Sequence, residues 1–329
     1  MLPEWVDTNQ FGNCHVLYGG FNPNWAAGRL ERRVVDTIAQ QLAKKYPNQA
    51  TAVVVPNWYE FDTVTDWIQQ TASTQTIICS LTDPVNTSWQ GINNIKLFGY
   101  ADVKFDFWAV ACGKFFKQYQ YEELLPTQFD FVFLNYNRKP HSHRVELIHA
   151  LEQADLVSLG CNTLSGTDYT VGDRDIDYLA TGATDVVGDI GIPNDIYSLG
   201  RIDIWQRSFV NIVSETQFAT DSVFLSEKTF KPIIGLRPFV INGNPKIYTW
   251  LRDAGFDCFE DIFPVDQLIT STSTDGSHKL IVESIQSLVK YDLVEFYQQL
   301  LPRLRNNQTH FYEYTNRQQD QLHNFENYI

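Results

Sequence analysis

The sequence predicts an α/β fold with two domains facing a cleft and helices closing the C-terminal end. Three observations carry this expectation. Short apolar runs alternate with segments of helical spacing, as strands and helices laid down in turn require. The chain has 329 residues, 43% of them hydrophobic, and at about 150 residues per domain that supplies two ordinary cores. Loops rich in charged and hydroxyl side chains fall between a strand and the next helix, where proteins of this class bind ligands.

In chain order, 15–18 reads as a strand, 19–28 (GGFNPNWAAG) as a glycine-containing loop, and 29–45 as a helix with Leu30, Val34, Ile38 and Leu42 on one stripe. Strands are predicted at 52–55, 76–79 and 95–98, with a helix at 63–70, completing a first domain over 1–125. The second domain, 126–329, opens with a strand at 129–135, a polar basic loop at 136–143 (YNRKPHSH) and a helix at 144–156 with Val145, Leu147, Ile148, Leu151 and Leu156 as its apolar positions. The stretch 160–199 is rich in Gly, Asp and Thr without clear periodicity and reads as an insertion or a mobile loop over the cleft. After an apolar run from Phe209, a helix at 228–234 is stopped by Gly235 and Pro238, and a buried strand at 238–241 ends in the turn Asn242-Gly243-Asn244-Pro245. Helices at 279–297 and 313–328 close the chain.

Composition narrows the classes of function. A net charge of −14 argues against general nucleic-acid binding, which draws its affinity from phosphate neutralisation by Lys and Arg. The five Cys residues (Cys14, Cys79, Cys112, Cys161, Cys258) are odd in number and form no C-x-x-C, the pattern of reduced, buried thiols in a cytoplasmic protein. The first residues lack a basic region followed by an apolar core, and no run of 18 apolar residues occurs, so neither secretion nor a membrane span is expected. Aromatic residues beside polar ones, as in Asn22-Pro-Asn-Trp25, Asn57-Trp-Tyr-Glu60 and Phe105-Asp-Phe-Trp108, suit sugar recognition and core packing alike.

Two patches carry chemistry. Ser226-Glu227-Lys228 opens a helix with an N-cap, a carboxylate able to accept from vicinal hydroxyls and an ammonium able to neutralise phosphate. Arg138, Lys139 and Arg144, with Asn137 beside them, place cations at a helix start, where acidic residues would complement the dipole. Cations in that position have an anion to hold. Both patches suit a nucleotide-sugar.

The run FLSEKTFKPIIGLRPFVINGNP resembles the signature of the family 10 glycosyltransferases, the α1,3-fucosyltransferases, in which Tyr-x-Thr-Glu-Lys precedes a helix, a strand and a Gly-Pro turn. Phe224 and Ser226 stand where that family has Tyr and Thr, and Ser214-Glu215 resembles the preceding Glu-Asn-Ser stretch. The resemblance implies a GT-B fold of two Rossmann-like domains in a bacterial or virus-infected cell. It also implies transfer of a sugar from a GDP-fucose-like donor to a glycan or other hydroxyl acceptor, with no covalently bound cofactor. Glu227 would hold the ribose, Lys228 the phosphates and Arg144 the pyrophosphate. The general base stays open among Glu60, Asp62, Asp102, Asp106 and His15, and the stereochemical outcome is open too, with inversion expected. His141 and His143 are either phosphate or acceptor contacts or ordinary loop histidines. Asp173-Arg-Asp175 matches the Asp-x-Asp by which GT-A enzymes hold a divalent metal, without the strand context that motif needs. Two rival readings remain: a transferase acting on hydroxymethylated bases of viral DNA, and a catalytically silent carbohydrate-binding or scaffold protein.

Overall fold

A computed structural model describes residues 7–11, 14–18, 51–55, 76–80, 95–98, 128–137, 140–164, 202–216 and 225–323, with the isolated positions 36, 40, 44, 109–110, 112–113, 124–126, 199, 218 and 223. The chain divides into two compact units: Met1–Ala111 with Ile190–Ile192 and Thr315–Ile329, and Cys112–Asp189 with Pro193–Tyr314.

The first unit contains a sheet of five strands in sequential order: β1 (Asp7–Phe11), β2 (Cys14–Tyr18), β3 (Thr51–Val55), β4 (Thr76–Ser80) and β5 (Ile95–Phe98). β1 and β2 form an antiparallel hairpin with Phe11 opposite Cys14, and β2 through β5 run parallel. The polar strand β1 (DTNQF) lacks the apolar pattern by which the other four are recognised. Residues 36, 40 and 44 are helical, within the helix expected at 29–45, while the helix expected at 63–70 lies outside the described residues.

The second unit holds a four-stranded, wholly parallel sheet in the order β7-β6-β8-β9: β6 (Phe131–Asn137), β7 (Gly160–Leu164), β8 (Ser208–Ser214) and β9 (Phe239–Asn242). Its strands read as near-continuous apolar runs because both faces are covered; Phe133, Leu134, Phe209, Val210, Phe239 and Val240 are all buried. From β6 the chain passes through helix α1 (Ser142–Gln153) to β7 on one side, then returns to lay β8 on the other. β6 and β8 therefore flank the point where the strand order reverses, and the crevice at their carboxyl ends is where such sheets take ligands.

The expected loop 136–143 is shorter than its polarity suggested. Tyr136 and Asn137 extend β6, because Asn137 N–H donates to Thr163 Oγ1 at 3.0 Å, and α1 starts at Ser142 rather than Arg144. The segment 160–199 begins with a fully buried strand, β7 (GCNTL), so its first five residues belong to the core.

Short helix α2 (Ile202–Gln206) precedes β8, and α3 (Glu227–Ile234) follows it. α3 ends in a Schellman-type turn in which Arg237 N–H donates to Pro232 O at 2.9 Å. The left-handed residue of that turn is Leu236, with φ 54°, not Gly235. Gly235 is required for a different reason: a Cβ there would stand 2.2 Å from Trp205 Nε1, and Trp205 Nε1 donates to Gly235 O at 2.8 Å. Gly235→Ala is accordingly expected to lose about 1–3 kcal/mol, the usual cost of overpacking; an unchanged midpoint in urea would refute it.

Helices α4 (Lys246–Asp253), α5 (Val265–Thr270), α6 (Thr274–Leu288) and α7 (Leu293–His323) complete the described chain. The single helix expected at 279–297 is in fact two. Asp292 Oδ1 accepts from Val294 N and Glu295 N, each at 3.0 Å, and so starts a new helix after the break at 289–292. Of the helix expected at 313–328, residues 313–323 form the last part of α7, and 324–328 lie outside the described residues. Arg303 fixes α7 by forking onto Asp257 and Asp261 at 2.7–2.9 Å. α6 packs against α1, β9 and β6.

The least common feature of this core is Arg237, which is 1% exposed. Its guanidinium donates to the carbonyls of Trp205, Ser208, Leu236 and Leu124 at 2.8–3.2 Å and to Tyr297 Oη at 3.1 Å. Its partners are backbone carbonyls and a phenol, with no carboxylate. Burial brings its pKa down to about 10, against the opposing pull of Tyr297, which leaves it charged at neutral pH.

Candidate functional site

The carboxyl ends of β6, β8 and β9 gather the chemistry of the second unit. The start of α3 is organised by Glu215, which follows β8 and is 0% exposed. One carboxylate oxygen accepts from Ser226 N at 3.1 Å and Thr229 Oγ1 at 2.6 Å. The other accepts from Ser226 Oγ at 2.6 Å and Thr216 N at 3.3 Å. A carboxylate so filled is a brace: it holds the β8 loop against the first turn of α3. Ser226, freed in its own acceptor capacity, caps the helix by accepting from Lys228 N at 3.3 Å.

Lys228 turns back over that turn. Its Nζ donates to Glu227 Oε1 at 2.8 Å and to Ser226 Oγ at 3.2 Å, with the Lys228 side chain 27% exposed and that of Glu227 7% exposed. Burial raises the Glu227 pKa, yet the positive charges of Lys228 and Lys231 outweigh it and hold the carboxyl below its ordinary value. Burial likewise depresses Lys228, and Glu227 and Glu215 more than offset this, so its pKa is raised. Both groups stay ionised across the neutral range.

Arg144 approaches the same loop from α1. It is 3% exposed, and its Nη2 donates to the carbonyls of Ser214 and Glu215 at 3.0 and 3.1 Å. It thus carries positive charge to the crevice while bracing the end of β8, and Lys228 is the cation nearer the opening. His143, its neighbour on α1, places Nε2 2.8 Å from Glu215 O; since a carbonyl only accepts, Nε2 carries the proton. His143 is therefore no free loop histidine.

A buried polar ladder runs beneath these groups across all four strands. Asn162 of β7 donates to Val157 O and accepts from Asn135 of β6 at 3.1 Å. Asn135 Oδ1 accepts from Asn137 Nδ2 at 2.9 Å and Ser214 Oγ at 3.4 Å. Asn242 Nδ2 donates to Ser214 Oγ at 3.1 Å and His143 O at 3.3 Å, and its Oδ1 accepts from His278 Nε2 of α6 at 3.1 Å. Asn137 Oδ1, which lies where β6 ends, is buried and accepts no hydrogen bond among the described residues, so the ladder ends in an open acceptor.

His143 and His278 flank Phe218, with ring centroids 5.6 and 6.1 Å from it. Burial pushes the pKa of each down to about 4. For His143 the bond to Glu215 O opposes this, and Arg144, His141 and His278 reinforce it; for His278, Asp275 and the His143 backbone oppose it. The unfolded chain, with ordinary histidines near 6.5, then binds more protons than the folded one between pH 4 and 6.5. Stability is complete above pH 6.5 and falls as the pH drops through that window, by about 1.4 kcal/mol per unit for each histidine. Urea unfolding from pH 7.5 to 4.5 should show this decline, with a shallower slope in His278→Gln; an identical slope would refute the assignment.

Of the residues singled out from sequence, Asn137, His143, Arg144, Ser214, Glu215, Ser226, Glu227 and Lys228 come together here. Glu60, Asp62, Asp102, Asp106, Arg138, Lys139, Asp173, Asp175 and Phe224 lie outside the described residues, and His15 is in β2 of the first unit. Sequence reading missed Asn135, Asn162, Thr229, Asn242 and His278. The polar interruptions FLNYN and VIN at the ends of apolar strands are the signal that would have found the asparagines. Among the described residues there is no group of three or more His, Cys, Asp or Glu side chains placed to hold a metal ion, and no helix long and apolar enough to cross a membrane. Cys112, Cys161 and Cys258 are buried. No protein-family model, curated protein or solved structure matches the chain.

Proposed function

We propose that the protein is a glycosyltransferase of GT-B type that moves a sugar from a nucleotide-diphosphate donor, GDP-fucose-like, to an acceptor hydroxyl with inversion. The observation that carries the reading is the convergence of Arg144 and Lys228, from two separate strand-loop-helix units, at the carboxyl ends of β6 and β8. A crevice of this kind, with helix starts and two cations, is built for a diphosphate. The FLSEKTFKPIIG segment, by its resemblance to the α1,3-fucosyltransferases, adds the sugar.

In this reaction the acceptor oxygen forms a bond to the anomeric carbon as the bond to the diphosphate oxygen breaks. A base takes the acceptor proton, and the departing diphosphate carries off the electron pair. Lys228 neutralises that developing charge without giving up a proton, as its raised pKa favours. Arg144 and Glu215 keep the loop and the first turn of α3 in place, so that no reorganisation is needed when the charge appears. The base belongs to the acceptor side.

The test is a thermal-shift screen with GDP, UDP, ADP, CMP and dTDP and their sugars. A ligand at 100 times its Kd adds about 2.7 kcal/mol of stability, and one nucleotide family is expected to raise Tm selectively. No shift with any of them would sink the proposal.

A further inference from the structure

We propose that the groove beside this crevice takes the nucleoside of the donor, with the base against Phe218, the ribose at the start of α6 and the diphosphate directed back to Lys228. The inference rests on the transferase reading and adds to it which part of the donor goes where.

The groove has a volume of about 1010 Å³ and is lined by Glu146 of α1, Phe218, Asn244 and Lys246 after β9, and Ser273 and Asp275 at the start of α6. That volume admits a nucleoside with room for ordered water. Phe218 relates the groove to the crevice: its ring lies beside His143, and His143 and Arg144 both donate to Glu215 O. A molecule lying along it with one end at Phe218 would have that end on the side of the groove nearest the cationic loop.

Apart from the exposed ammonium of Lys246, the lining suits a nucleoside better than a second phosphate. Phe218 is half-buried and offers a planar apolar ring, suited to stacking on a base. Glu146 and Asp275 are exposed carboxylates with no ion pair among the described residues. Carboxylates accept from vicinal hydroxyls, and two of them against the single cation Lys246 make this lining less favourable to phosphate than the crevice with Lys228 and Arg144. Ser273 Oγ is occupied in capping α6, accepting from Gly276 N at 3.1 Å, which holds Asp275 in the first turn at the groove wall. Glu227, the ribose residue implied by the family resemblance, is closed over by Lys228 and only 7% exposed on its side chain. The ribose hydroxyls therefore fall to Asp275 and Glu146.

Isothermal titration with guanosine, adenosine, uridine and cytidine, and then with their diphosphates, tests this. One nucleoside is expected to bind by itself. Its affinity should fall about tenfold or more, roughly 1.4 kcal/mol, in Phe218→Ala and in Asp275→Asn, and stay within about twofold in Lys228→Ala, while the diphosphate loses affinity in all three. A diphosphate that weakens in Lys228→Ala yet is indifferent to Phe218→Ala and Asp275→Asn would overturn this placement and leave the transferase reading standing. Absence of binding by every nucleoside and diphosphate would overturn both.

Discussion

Lys228→Ala is expected to lower kcat/KM about 100- to 1,000-fold, the loss seen when one preorganised charge-stabilising group is taken from a site, or about 3–4 kcal/mol. The variant also leaves Glu227 buried beside an empty position, so a stability loss of about 1–3 kcal/mol accompanies it. The double variant Glu227→Gln/Lys228→Ala separates the two effects. Removing the unpaired carboxylate should restore much of the stability and none of the turnover. Recovery of both together would mean that Lys228 serves only to neutralise Glu227, and the cationic role would be lost with it. Steady-state kinetics and urea midpoints on the three proteins decide the matter.

Arg237→Leu is expected to destabilise the fold by about 1–3 kcal/mol for each buried acceptor left without a donor, a large part of the 5–15 kcal/mol typical of a domain. The reason is the number of groups left behind. The carbonyls of Leu124, Trp205 and Ser208 lose a donor at a residue 1% exposed, while Leu236 O keeps the Tyr297 hydroxyl as its donor at 3.0 Å, and each buried orphan is costly. Arg237→Lys should recover little, because a single ammonium cannot reproduce the fork. A loss below about 1 kcal/mol in Arg237→Leu would show that the carbonyls find other donors.

What sequence could reveal depended on which force shaped each element. Three of the four parallel strands of the second unit were legible because burial on both faces makes FVFL, FVNIV and FVI almost wholly apolar, whereas β7 (GCNTL), read as the start of an insertion, was not. The start of α3 was legible because Ser226 is an ordinary N-cap residue. β1 was not, since its residues are polar and its position follows from pairing with β2; the Gly12-Asn13 dipeptide between Phe11 and Cys14 was its only mark. The 289–292 break was hidden because apolar spacing continues across it, and only the capping role of Asp292 divides α6 from α7. At the site, the charged residues were found and their duties were not. Glu215 is singled out in the sequence only by the resemblance of Ser214-Glu215 to the stretch before the donor-binding signature, but four donors to its two oxygens make it a brace. Arg144 spends Nη2 on two carbonyls that lie some 70 residues away in the chain, a partnership that local spacing does not encode.

The amide ladder has a consequence for how the sheet finds its alignment. Strands that are apolar on both sides are poorly keyed, because sliding one past its neighbour by two residues exchanges one aliphatic contact for another. In this sheet the directly paired positions include Asn135 with Asn162 and Ser214 with Asn242, and those pairs are themselves hydrogen-bonded through their side chains. A misaligned strand would strand an amide in hydrocarbon on both sides of the seam, at about 1–3 kcal/mol for each orphan. The asparagines thus work as index marks: they add little to cohesion, but they make one alignment of four interchangeable-looking strands cheaper than its neighbours, and that alignment is the one that brings the loops bearing Arg144 and Lys228 to the same edge.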